Sequence, residues 1–140
     1  MPDLGAFATT HAAAFAGGVA RPWGAAEFAD LLSSPLVFLV GDARAFAMGR
    51  AVAGEVELLT LASHPDNQGK GLGKAILAEF HAEALRRGCD RAFLEVAENN
   101  ATARGLYLAS GYAQDGRRPA YYRGTDGHPV AALLLSRTLP

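Results

Sequence analysis

The sequence predicts an α/β fold: a mixed central sheet flanked by helices. Three observations carry this. The apolar patterning gives, in order, two helices, a three-strand meander, a helix, a strand, a helix and a closing hairpin. Within that order, Leu58 to Val96 reads as strand, loop, helix, strand. Such a crossover makes its two strands parallel and right-handed. The meander and the final hairpin add antiparallel pairs, so the sheet is mixed.

The elements follow in order. Asp3 to Gly17 reads as an alanine-rich helix with Leu4, Phe7, His11 and Phe15 near one face. Arg21-Pro22-Trp23-Gly24 breaks the chain. Ala25 to Leu32 forms a second helix that turns Phe28, Leu31 and Leu32 inward, and Pro35 stops it. Strands are expected over Leu36 to Val40, Ala45 to Val52 and Glu55 to Leu61, with turns at Gly41-Asp42-Ala43 and Gly54. A long helix spans Leu72 to Arg87 with an apolar stripe of Ile76, Leu77, Phe80, Ala84 and Leu85. Arg86 and Arg87 suit the negative end of its dipole, and Gly88 suits the C′ position. Arg91 to Val96 is a buried strand. Asn100 caps a helix from Ala101 to Ser110, which Gly111 ends. A strand from Tyr112 turns at Thr125-Asp126-Gly127 into the last strand, Val130 to Leu135.

Residues 1–140 are expected to form one domain with a real core. The formal net charge is −1, so no basic face for a nucleic-acid backbone is expected. The single cysteine, Cys89, excludes an internal disulfide and a cysteine metal cluster. It is expected at a strand entrance as a small apolar residue. No signal peptide and no apolar run of the ~20 residues a membrane helix needs is visible. A cytoplasmic location is expected.

Residues 58–74 are the most informative stretch. An apolar strand meets His64-Pro65-Asp66-Asn67, then Gln68-Gly69-Lys70-Gly71-Leu72-Gly73-Lys74 opens onto a helix. Glycines let backbone N–H groups point inward, and a helix N-terminus adds partial positive charge. Together they suit a phosphate or pyrophosphate. A Walker A loop fails, because Ala75 follows Gly73-Lys74 and Gln68 stands where the first glycine belongs. A dinucleotide fingerprint fails because Lys74 takes its third glycine. What remains is Gln68-x-x-Gly71-x-Gly73 after a strand; a merely flexible turn is the alternative. The loop lies at the C-terminal end of one parallel strand and Glu95 to Asn100 at the end of the next, where open α/β sheets bind ligands.

Glu95 interrupts the apolar run Ala92-Phe93-Leu94-Glu95-Val96. A desolvated carboxylate there would titrate nearer neutrality and suit a general base; the alternative is a strand-end glutamate facing water. Tyr107 lies two turns past Asn100 and can share its face. Its phenol could return a proton to a leaving group; the alternative is a core aromatic. His11, His64, His81 and His128 lack metal-ligand spacing, and His81 is expected on the solvated side of its helix. Trp23 is either a substrate-loop aromatic or a packing residue. One of Tyr121 and Tyr122 could line an acceptor pocket. Arg117-Arg118 could bind an acidic group, with a solvated turn as the commoner explanation.

Most of the chain resembles the bacterial ribosomal-protein-alanine N-acetyltransferases of the GCN5-related N-acetyltransferase superfamily. The matching stretches are His11 with Pro22-Trp23; Leu61-Ala62 with Pro65-Asp66 and Gln68-x-x-Gly71-Leu72-Gly73; Leu94-Glu95-Val96; Asn100-Ala101 with Leu106-Tyr107; Gly111-Tyr112; and Tyr121-Tyr122 with Thr125-Asp126-Gly127. The resemblance implies acetyl-CoA as cosubstrate. Leu61, Ala62 and Ser63 would pair with the pantetheine arm through their backbone. Gln68, Gly69, Lys70, Gly71, Leu72, Gly73 and Lys74 would hold the pyrophosphate, and Asn100 would contact the cofactor. Glu95 looks like the general base and Tyr107 like the acid that protonates the coenzyme A thiolate. A backbone N–H near Ala62 or Ser63 would polarise the thioester carbonyl.

The implied acceptor is the N-terminal alanine of a ribosomal protein, with no direct nucleic-acid or membrane partner, for a monomer or weak dimer. The chain enters its first helix at Met1-Pro2-Asp3, so the family's usual first strand is missing or lies upstream. Pro119 replaces an arginine of the family pattern and Val130 an acidic residue, both near the acceptor side. Two rivals stand beside this reading: a small-amine acetyltransferase of the same fold, and a catalytically silent acyl-CoA-binding module.

Overall fold

Helices α1 (Leu4–Ala14) and α2 (Ala25–Leu32) precede strands β1 (Val37–Asp42), β2 (Ala45–Val52) and β3 (Glu55–Ser63). A 3₁₀ turn, Pro65–Asn67, leads to α3 (Leu72–Arg86), β4 (Arg91–Ala97), α4 (Ala101–Ala109), β5 (Ala113–Arg123) and β6 (Pro129–Thr138). The computed structural model describes residues 3–16, 18, 21–67, 69–123 and 127–140. The expected turn residues Thr125 and Asp126, and Gln68 of the glycine loop, lie outside the described residues.

The sheet runs β1-β2-β3-β4-β6-β5, so the expected mixed α/β architecture is borne out. Its core has two faces. Ile76, Leu77, Phe80 and Ala84 of α3 and Tyr107 of α4 pack with Val56, Leu58, Ala92, Leu94 and Leu133 on one face. Phe7 of α1 and Phe28 of α2 pack with Val37, Phe46, Met48 and Ala62 on the other. Leu85 departs from the expected stripe. It is 38% exposed, because it lies one residue past the buried row that Ala84 completes. α1 is shorter than predicted: Asp3 caps it, its Oδ1 accepting the Ala6 N–H at 3.1 Å, and Ala14 is its last residue.

Two irregularities shape the sheet. β2 and β3 slip register between Met48 and Gly49, which pair with Thr60 and Leu58. Leu59 is therefore an extra residue, a β-bulge. The bulge reverses the alternation of β3. Val56 and Leu58 face α3; beyond it Leu61 takes that face, while Thr60 and Ala62 turn toward α1 and α2. The second irregularity is a split. Parallel pairing of β3 with β4 covers only Glu55↔Arg91, Val56↔Ala92 and Glu57↔Phe93. β3 nevertheless stays paired with β2 to Ser63, and β4 with β6 to Ala97. The two central strands thus part toward their C-terminal ends, and beyond Glu57 and Phe93 they no longer pair with each other.

Candidate active site

On the β3 side of the split the chain leaves Ser63, turns through Pro65–Asn67 and enters the glycine loop. Gly69 and Gly71 hold φ of +81° and +73°. A Cβ at either would meet nothing within 4 Å, so backbone conformation and not crowding demands glycine here. Gly71 is the N-cap of α3 and supplies no side-chain cap. The first-turn amides therefore point out of the helix with its positive dipole end, a geometry suited to an anion. Lys70 Nζ lies 3.4 Å from Asn67 Oδ1.

On the β4 side, Asn100 caps α4 as expected, its Oδ1 accepting the Ala103 N–H at 3.2 Å. Tyr107 is buried on the α3/α4 face, edge-on to Tyr112 at 5.8 Å. Burial pushes its phenol up, so it holds its proton. Tyr112 makes a second contact: its hydroxyl lies 2.7 Å from His81 Nε2. His81 is therefore half-buried against Tyr112 and not on a solvated face, and burial lowers its pKa to about 4. The sequence missed this because the contact joins α3 to the entrance of β5.

Glu95 faces away from Leu94 and Val96, on the sheet side opposite Tyr107. It is not sealed in apolar surroundings. Its side chain is 27% exposed, and its Oε1 lies 3.2 Å from Arg118 Nη2. Pairing and partial solvation solve the problem that an isolated buried carboxylate would pose. Arg117 and Arg118 are likewise not turn residues: both stand in β5, and Arg117 Nε donates to Glu98 Oε2 at 2.7 Å. Alternation along a strand separates the two arginines, a signal visible only once that segment is read as a strand.

Tyr121 and Tyr122 meet edge-on at 5.0 Å. They line a cavity of about 290 Å³ with Ala120, Arg123, Gly127 and Pro129. Tyr121 is 52% exposed at its rim. A neighbouring cavity of about 400 Å³ is lined by Glu98, Arg104, Arg117 and Val130, among others.

His11 proves to be a structural pillar. It is buried between Phe15 at 4.4 Å and Trp23 at 5.0 Å, both rings stacked on it. The Trp23 backbone N–H donates to Nδ1 at 3.1 Å, which leaves Nε2 to donate to Thr60 Oγ1 at 3.0 Å. Burial lowers its pKa to about 4. Trp23 also packs on Phe28 at 5.5 Å, which supports its packing role. The pillar joins α1 and the Trp23 segment to β3 beside its bulge.

The chain is similar to known proteins in sequence and in fold. Residues 9–112 match the model of the Acetyltransferase (GNAT) family. A ribosomal protein bS18-alanine N-acetyltransferase of Escherichia coli is 37% identical over 94 residues, 67% of this chain and 64% of that protein. The chain thus matches somewhat under two thirds of that relative's length. An N-alpha-acetyltransferase RimI of Mycobacterium tuberculosis is 34% identical over 120 residues, covering 78% of this chain and 74% of that one. The crystal structure of the Escherichia coli ribosomal-protein-S18-alanine N-acetyltransferase superposes with a TM-score of 0.86 at 31% identity, covering 98% of this chain and 88% of that one.

Proposed function

The chain belongs to the GNAT acetyltransferase family, and from that premise we propose that it transfers acetyl from acetyl-CoA to an amine, the N-terminal alanine of a ribosomal protein being the acceptor. The observation that carries the reading is the split sheet. β4 does not take up the ladder edge of β3 over Leu61, Ala62 and Ser63, and an extended pantetheine arm, itself built of amides, adds beside it as a further strand. The pyrophosphate then falls on Gly69, Lys70, Gly71, Leu72, Gly73 and Lys74, with Gln68 preceding them. Asn100, at the head of α4, contacts the cofactor from the far side.

An acetyl group held in the split meets Glu95 from one sheet face and Tyr107 from the other. The incoming ammonium gives a proton, through water, to Glu95. The neutral amine attacks the thioester carbonyl, whose oxygen is polarised by a backbone N–H near Ala62 or Ser63. The C–S bond breaks as the amide forms, Tyr107 protonates the departing thiolate, and the second proton shed by the nitrogen passes through water to restore the phenol. An α-amine has a pKa of about 7.7–8.0, so a modest base suffices.

The acceptor side supports a peptide over a small amine. The cavity at Tyr121 and Tyr122 is open at Tyr121, and among the described residues its lining carries Arg123 and no carboxylate, unlike a closed acidic pocket for a polyamine. Purified protein and acetyl-CoA offered to peptides with varied first residues, polyamines and aminoglycosides, with products weighed by mass spectrometry, test the reading. Acetylation confined to Ala- or Ser-starting peptides supports it. Acetylated small amines move the acceptor to the rival class. Saturable acetyl-CoA binding with no transfer favours the silent module.

A further inference from the structure

The carboxylate assigned to base work already holds a cation. Arg118 reaches Glu95 from β5, the edge strand, with Nη2 3.2 Å from Oε1 and its own side chain 53% exposed. Its position is unusual. Arg118 pairs with Ala132, but the next ladder pair is Tyr122↔Val130, so Pro119, Ala120 and Tyr121 bulge out of β5. Pro119 has no N–H to lose there, and Ala120 takes a φ of +55°. Bulges of this kind re-aim side chains beside active sites. Here Arg118 lies with Cζ 5.5 Å from the Tyr121 ring centroid. Tyr121 packs on Tyr122, whose phenol is pushed up by burial and by the charge of Glu95. Glu98, three residues on, is already held by Arg117.

An acceptor amine arrives near neutral pH largely as an ammonium, and it needs the carboxylate that Arg118 occupies. We propose, resting on the reading of Glu95 as the base, that Arg118 is an internal surrogate for the acceptor's ammonium: it holds Glu95 between turnovers and is displaced by the incoming cation, so that it sets the apparent affinity for the acceptor. A pair this exposed is weak, worth a factor of about five at most, which makes the exchange cheap. The displaced guanidinium keeps its seat on Tyr121, where cation–π attraction replaces part of what it gives up. Arg118 is thus a competitor of the acceptor and not its anchor.

Steady-state kinetics of wild type, R118Q and R118K, and of both substitutions in an E95Q background, test this. The acceptor is whichever amine of the panel above the wild-type enzyme acetylates. R118Q lowers the acceptor KM about threefold, with kcat moving less than KM, and R118K returns KM toward wild type. The gap between wild type and R118Q shrinks as salt rises, because screening weakens the pair. In the E95Q background R118Q has no further effect on KM. A rise in acceptor KM for R118Q makes Arg118 an anchor and overturns the proposal. So does a KM equal in all three proteins. If the amine acetylated is small, the protein N-terminus reading fails while the Arg118 comparison still decides.

Discussion

Tyr107 and Glu95 have opposite surroundings, and these suit opposite tasks. The phenol is buried and held protonated, as a donor to a thiolate must be. The carboxylate faces the open side of β4 with a guanidinium on it, where an amine and a water can reach it. Replacing Glu95 by Gln or Tyr107 by Phe is expected to lower kcat by about 10²-fold or more, with acetyl-CoA affinity by calorimetry little changed. Turnover within about twofold of wild type in both would remove the proposed roles. Gly71→Ala is expected to cost about 1–2 kcal/mol in unfolding free energy, because φ +73° is the left-handed region. It also weakens acetyl-CoA binding by disturbing the loop, even though space for the methyl exists. At this scale Glu95 was legible because it breaks an apolar run. Its partner was not, because the Arg118 contact depends on a bulge in a distant strand.

The elements are tied together by buried imidazoles and by close packing. His11 links α1, the Trp23 segment and β3 while neutral; Glu27 and Arg21 act on it with opposite sign. Its folded pKa, about 4, lies below the ordinary 6.5, so the unfolded chain binds the proton first. Its stabilising contribution is therefore complete above pH 6.5 and is lost as pH falls toward 4. The loss from His11 approaches ~3 kcal/mol, and His81, also near 4, acts in the same direction. Urea unfolding at pH 7 and at pH 4.5 measures it, and H11N reduces the difference. Gly49 marks a second constraint, since a Cβ there would lie 2.5 Å from Phe80 Cε1 and 2.8 Å from Phe38 Cζ. Gly49→Ala is expected to destabilise by about 1–3 kcal/mol in thermal or urea unfolding. Helix ends at Asn100 and Gly88 were readable, since capping is local chemistry. The Leu59 bulge was not read, although the adjacent Leu58 and Leu59 break the apolar alternation of the strand at that point.

Across the whole molecule, the order of helices and strands was legible, and with it the parallel pair and the glycine loop at its end. Apolar periodicity and turn residues set these within short windows. The split between β3 and β4 was not legible, since each strand reads as uninterrupted and only their pairing fails beyond Glu57 and Phe93. That split is the centre of the account. Among the described residues no helix is long and apolar enough to cross a membrane. The direct measurement is backbone amide hydrogen exchange with and without saturating acetyl-CoA. Protection at Leu61, Ala62 and Ser63 and at Gly71 to Lys74, with little change in β1 or β5, is the predicted result. Protection confined to other segments, or none at saturating ligand, would contradict it.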